Sequence, residues 1–181
     1  LLDREVEGVA ELLLDSAEDP DMEVRAQVAA LLPQVTHPGS GDVLARLAQD
    51  ASPIVRLQAA MGLAERGDPR AIPELQIASG RPADRLTAAR GLARIDSPAA
   101  TSALHGLLRR KLVGAAVKAA AAAGLAGRGD PEGLRRLDAL LGSWRSGPSL
   151  HAVLAATAQG GPRMIRWLAE IAASRQKRAP E

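Results

Sequence analysis

The sequence predicts an all-α protein: a right-handed α-α superhelix (solenoid) of about five helical hairpins plus a terminal helix. Three observations carry this. The 181-residue chain is dominated by Ala, Leu, Arg and Gly, with two Trp and no Phe or Tyr, so residues that favour helices abound and those that favour strands are scarce. A nine-residue block recurs along it. Proline returns at a nearly constant distance after each copy of that block.

The block is Val24-Arg25-Ala26-Gln27-Val28-Ala29-Ala30-Leu31-Leu32, and it matches Val55-Arg56-Leu57-Gln58-Ala59-Ala60-Met61-Gly62-Leu63 at a displacement of 31 residues. It returns as Arg85 to Leu92 and again as Val117 to Leu125. Six positions after each terminal Leu stands Pro38, Pro69, Pro98 or Pro131, at intervals of 31, 29 and 33 residues. Asp68, Ser97 and Asp130 directly precede three of these prolines. Proline at the first helical position forfeits no hydrogen bond, and an Asp or Ser before it accepts from the next free amides. Each proline therefore marks a helix start. Asp19-Pro20-Asp21, Ser52-Pro53 and Arg81-Pro82 supply a second start in each period, which makes two helices per repeat.

The expected helices pair 3–16 with 21–34, 40–49 with 53–66, 69–78 with 82–95, 98–110 with 113–126, and 131–143 with 148–159, with a last helix near 162–175. The array reads as one domain over 1–175, followed by a basic flexible tail at 176–181. Gly62 and Gly124 are expected where helices pack closely, and Gly67 and Gly129 at helix C-caps.

Val-Arg-x-x-Ala-Ala-x-Gly-Leu followed by a Gly-Asp-Pro turn resembles the HEAT-repeat family, in particular the short HEAT-like repeat of phycobilisome lyases. The resemblance spans roughly residues 19 to 142 and implies a recognition scaffold. Relatives of this kind suggest further activities, and the residues bear on each. HEAT-like hydroxylases hold iron with His-Glu dipeptides, whereas His37, His105 and His151 precede Pro38, Gly106 and Ala152. HEAT-like DNA alkyl-base glycosylases use a basic concave surface with aromatics and an acid; here only Trp167 and Glu170 lie one turn apart. Chromophore chaperoning, as in the lyases, finds no nameable residue.

The inventory excludes other chemistry. The chain contains no Cys, so disulfides, thiolate metal sites and thiol nucleophiles are ruled out, and a reducing, cytoplasmic setting fits. The histidines show no i, i+4 ligand spacing, and no G-x-S-x-G elbow occurs, so neither a catalytic residue, a metal nor a cofactor is expected. The longest uncharged stretch, Ser146 to Pro162, falls short of the about 20 apolar residues that cross a bilayer. The opening Leu and its acidic neighbours read as a piece of a larger protein rather than a signal peptide.

Asp19 and Asp50 each precede an Arg by six residues, Arg25 and Arg56, which permits an Asp-Arg ladder between repeats. Ser79 and Leu112 stand where the acids matching Arg85 and Lys118 would be, leaving those two cations for an acidic partner. Trp144 and Trp167 are expected to cap the C-terminal end. Residues 1–105 hold ten Lys and Arg against sixteen Asp and Glu, a net −6, while 106–181 hold thirteen against five, a net +8. This asymmetry fits a basic end for nucleic acid or an acidic protein, head-to-tail self-association, or solvated repeat faces.

The leading expectation is a non-enzymatic scaffold that binds a protein or peptide on a concave face lined by the second helix of each hairpin. Gln27, Gln58, Arg85, Arg90 and Lys118 are its expected contacts. The alternative is nucleic-acid binding through the basic C-terminal third: Arg109, Arg110, Lys111, Arg135, Arg136, Arg163 and Arg166.

Overall fold

The computed structural model describes residues 2–142, with side chains from 8 to 140. Nine α-helices and no strand occur among these residues: α1 (Leu2–Asp15), α2 (Met22–Leu31), α3 (Ser40–Leu47), α4 (Pro53–Glu65), α5 (Ile72–Gly80), α6 (Arg85–Arg94), α7 (Pro98–Arg109), α8 (Ala115–Gly127) and α9 (Pro131–Gly142). The expected helices at 148–159 and 162–175, the 176–181 tail and both Trp lie outside the described residues.

Most helix starts fall where the capping chemistry puts them. Asp68 accepts from Arg70 N at 2.9 Å, Ser97 Oγ from Ala100 N at 3.2 Å, and Asp130 from Glu132 N and Gly133 N at 2.9 and 3.0 Å. Two starts are displaced, the first of them by proline. Pro73 stands in the first turn of α5, so the chain from Pro69 opens as a 3-10 turn, Pro69–Ala71, before α5 begins at Ile72. Pro82 sits in a turn instead of opening a helix; Arg81 and Asp84 pair across that turn at 2.6 Å, and α6 begins at Arg85. Pro33 likewise converts the end of α2 into the 3-10 turn Leu32–Gln34.

Cα packing groups the chain into two compact units, 1–100 and 101–181. In the first, α3 pairs with α4 and α5 with α6, while the second helices stack in a row, α2 on α4 and α4 on α6. Leu32, Leu44, Val55, Leu63, Leu75, Leu92 and Ile95 form an aliphatic core with no exposed surface. Burying each such side chain contributes about 1.5–3 kcal/mol.

The row can be this tight because glycine stands at the crossings. A Cβ on Gly62 would lie 2.7 Å from Pro33 Cγ and 3.0 Å from Leu44 Cδ2, and one on Gly91 would lie 2.9 Å from Leu75 Cδ1 and Met61 Sδ. In the second unit α8 packs on α9, and the run from Ala119 to Ala126 is buried throughout. There a Cβ on Gly133 would meet Ala126 N and Leu125 Cβ at 2.6 Å. Gly67 and Gly129 close α4 and α8 with φ of 70° and 79°, in the left-handed region that favours glycine. No helix among the described residues is long and apolar enough to cross a membrane.

Gly133→Ala must push against backbone and should destabilise by about 2–3 kcal/mol, with Gly62→Ala, which meets movable side chains as well, losing less. Gly80→Ala, with open space around its Cβ, should be neutral or gain about 0.5 kcal/mol. Urea unfolding of the three variants checks the order.

Candidate partner-binding surface

A guanidinium at one repeat position shapes each turn of the first unit. Arg25 Nη1 donates to the carbonyls of Asp19 and Pro20 at 2.8 and 3.0 Å, and Arg56 Nη1 to those of Asp50 and Ala51 at 2.7 and 2.9 Å. Arg85 reaches the corresponding carbonyls of Ser79 and Gly80 through Nε and Nη2, at 2.9 and 3.1 Å. At each of these turns one guanidinium fork thus satisfies two backbone carbonyls, and in Arg25 and Arg56 a single nitrogen does so, leaving Nε and Nη2 for other partners.

The other edge of the fork reaches the next repeat. Arg25 grips Asp50 bidentately at 2.7 and 3.0 Å, as the ladder requires. Arg56 instead takes Glu74 at 3.1 Å, an acid from α5 that is only 5% exposed and also accepts from Arg81 at 3.2 Å. Arg85 meets no carboxylate among the described residues; its donors go to the two carbonyls. The Arg25 hydrogen bond holds the Asp50 carboxyl below its ordinary range, against the opposing effect of burial.

A second set of pairs joins successive repeats, Arg46 with Glu18 and Arg70 with Asp42 at 2.8 Å, and Arg70 also takes Asp68 of its own turn at 2.7 Å. Asp42, Arg46 and Arg70, together with Asp50, line a cleft of 570 Å³ beside α3, and each of these groups is already engaged in an ion pair.

A different kind of surface lies between α2 and α4. A groove of 240 Å³ is lined by Met22, Glu23, Ala26, Gln27, Ala30, Ile54 and Gln58. Met22 and Ile54 are 45% and 58% exposed, a poor arrangement for aliphatic side chains in water. Met22 is held at the edge by Ser52 Oγ, 3.6 Å from its sulfur. Gln27 and Gln58 hold equivalent positions in successive repeats, and both are exposed. Among the described residues neither side-chain amide has a hydrogen-bond partner, so each presents a donor and an acceptor to whatever enters the groove.

The other expected contacts are dispersed. Arg90 on α6 is half-buried and forms no ion pair among the described residues, and Lys118 on α8, in the second unit, is likewise half-buried and unmatched by any described acid. Of the expected basic end, Arg109, Arg110 and Lys111 are exposed around the end of α7, while Arg135 and Arg136 are both held by Glu132 at 2.6 and 2.8 Å. Arg163 and Arg166 lie outside the described residues. Both described histidines are engaged. His37 Nδ1 accepts from Gly39 N at 3.1 Å, and His105 Nε2 lies 3.0 Å from Asp130, the cap of α9. Among the described residues no cluster of His, Asp or Glu could hold a metal.

Stacked helical hairpins tied by inter-repeat ion pairs, with an accessible groove on the stacked second helices, define an α-helical repeat protein. More particularly, a family model of HEAT repeats matches residues 10–84. HEAT repeats commonly act as protein-protein interaction scaffolds and are typically non-enzymatic. No curated protein matches the chain.

Because the folded pKa of Asp50 is depressed, its contribution to stability is complete above the unfolded value of about 3.9 and is lost as pH falls through the lower folded one. Arg25→Met should therefore melt below the wild type at neutral pH, and the gap between the two should narrow as the pH is taken below about 4. A gap in melting temperature that is independent of pH would disconnect Asp50 from Arg25.

Proposed function

We propose that the protein is a non-enzymatic interaction scaffold that docks an extended protein segment or peptide along the second helices of its hairpins. The α2-α4 groove is the observation that supports this best. Two exposed aliphatic side chains offer apolar area, and two free amides one repeat apart suit the donors and acceptors of an extended backbone. The groove's one charged residue, Glu23, favours a cation on the segment that fills it. Arg90 and Lys118 offer cations to acidic residues elsewhere on a larger partner, and a cysteine-free scaffold suits the cytoplasm.

Nucleic-acid binding stands second. Arg109 and Lys111 are exposed and meet no described carboxylate, which favours it, but Arg135 and Arg136 are both engaged by Glu132, whose single charge offsets one of the two. Salt separates the two readings, since a phosphate-bound complex weakens steeply with ionic strength.

Selection from a displayed peptide library, followed by fluorescence polarisation of the enriched sequence, tests the groove. Gln27→Ala combined with Gln58→Ala should weaken binding by about tenfold, and Ile54→Asp should weaken it further. Enriched peptides indifferent to all three changes would place the docking surface elsewhere.

A further inference from the structure

The turn between α7 and α8 carries a side chain with the complementary chemistry. Leu112 is 94% exposed, more than any other large apolar residue described, and it directly follows Arg109, Arg110 and Lys111. A single exposed leucine is ordinary on a protein surface. This one stands out because it is almost wholly solvated and joined to a cationic run, while the α2-α4 groove pairs an aliphatic floor with a carboxylate. Glu23 at that groove is exposed and makes no ion pair among the described residues; Arg109 and Lys111 are in the same position in their own unit.

We propose that the groove is occupied by the α7-α8 turn of a second copy of this chain, with Leu112 seated between Met22 and Ile54 and Lys111 or Arg109 against Glu23. The inference rests on the groove being a docking site, as argued above, and names its occupant. A groove of 240 Å³ takes one branched aliphatic side chain together with the methylenes of a neighbouring cation. The charge balance points the same way, since the first 105 residues carry a net −6 and the remainder +8. Knob and groove are different surfaces, so the contact is heterologous: after the first contact one copy keeps a free groove and the other a free knob, and association continues until a ring closes. Such an interface is small, well below the roughly 1,200 Å² of a standard stable complex, so assembly is weak and concentration-dependent.

Sedimentation velocity on the full chain over a concentration series at low and high salt tests this, with Ile54→Asp, Leu112→Asp and their equimolar mixture run beside the wild type. Far-UV circular dichroism confirms that the variants stay folded. The wild type should gain mass with concentration and lose it with salt, and each variant alone should stay monomeric. The mixture should form dimers and stop there, because only one working knob and one working groove remain per pair. A second pair covers any folding defect: Glu23→Lys and Lys111→Glu should each weaken association at least about threefold and restore it when combined. A wild type that is monomeric throughout at low salt, or variants that associate as the wild type does, would overturn the proposal. If that monomer still binds selected peptides in an Ile54-dependent way, the docking groove stands and only its occupant is wrong; if it binds none, both readings fall.

Discussion

A guanidinium can satisfy carbonyls with one edge and a carboxylate with the other, and the first unit depends on that capacity. Arg25, Arg56 and Arg85 sit in the first turns of α2, α4 and α6, where each ties down the two carbonyls left at the preceding turn. The same side chain then fixes the distance to the next hairpin wherever an acid is in reach, through Asp50 for Arg25 and Glu74 for Arg56. Turn geometry and repeat spacing are therefore set by one residue. Once they are set, the second helices lie side by side, and the groove between α2 and α4 follows from their separation.

Close packing has the complementary role. With no aromatic side chain among the described residues, the core is built from Leu, Ile, Val and Ala, and such a core fills its space only if backbones approach closely. Gly62, Gly91 and Gly133 provide the approach. The small residues also explain why the outward side of α2 and α4 is shallow: Ala26 and Ala30 leave room above the helix surface, and Met22 and Ile54 stand at its edges. The groove and the core thus share a cause, the shortness of the side chains.

Much of this was legible in the sequence. The periodic block, the prolines and their capping acids located the described helices to within a few residues, and the Asp50 side of the ladder followed from spacing alone. What the sequence hid was non-local. Glu74 replaces the acid missing at Ser79, but it comes from the start of α5, and no spacing rule for the inter-helix turn would have selected it. Arg85 looked available because its matching acid was absent, yet the carbonyls of its own turn occupy it. Gln27 and Gln58 were recoverable from the repeat; Met22 and Ile54 were not, because they occupy unequal repeat positions and meet only when α2 lies on α4.

The placement of Arg25 and Asp50 also bears on how such a chain could lengthen. The 31 residues from Val24 to Ile54 contain a helix-start arginine, the acid that this arginine grips in the next hairpin, and the turn carbonyls that serve the arginine after it. A tandem duplication of that segment would carry its own joint: the copied Asp50 would meet the copied Arg25, and the last copy would hand on to Arg56 unchanged. Growth by copying needs no compensating substitution at the seam. The module that a gene could duplicate is thus offset from the hairpin that the eye picks out, running from the middle of one hairpin to the middle of the next.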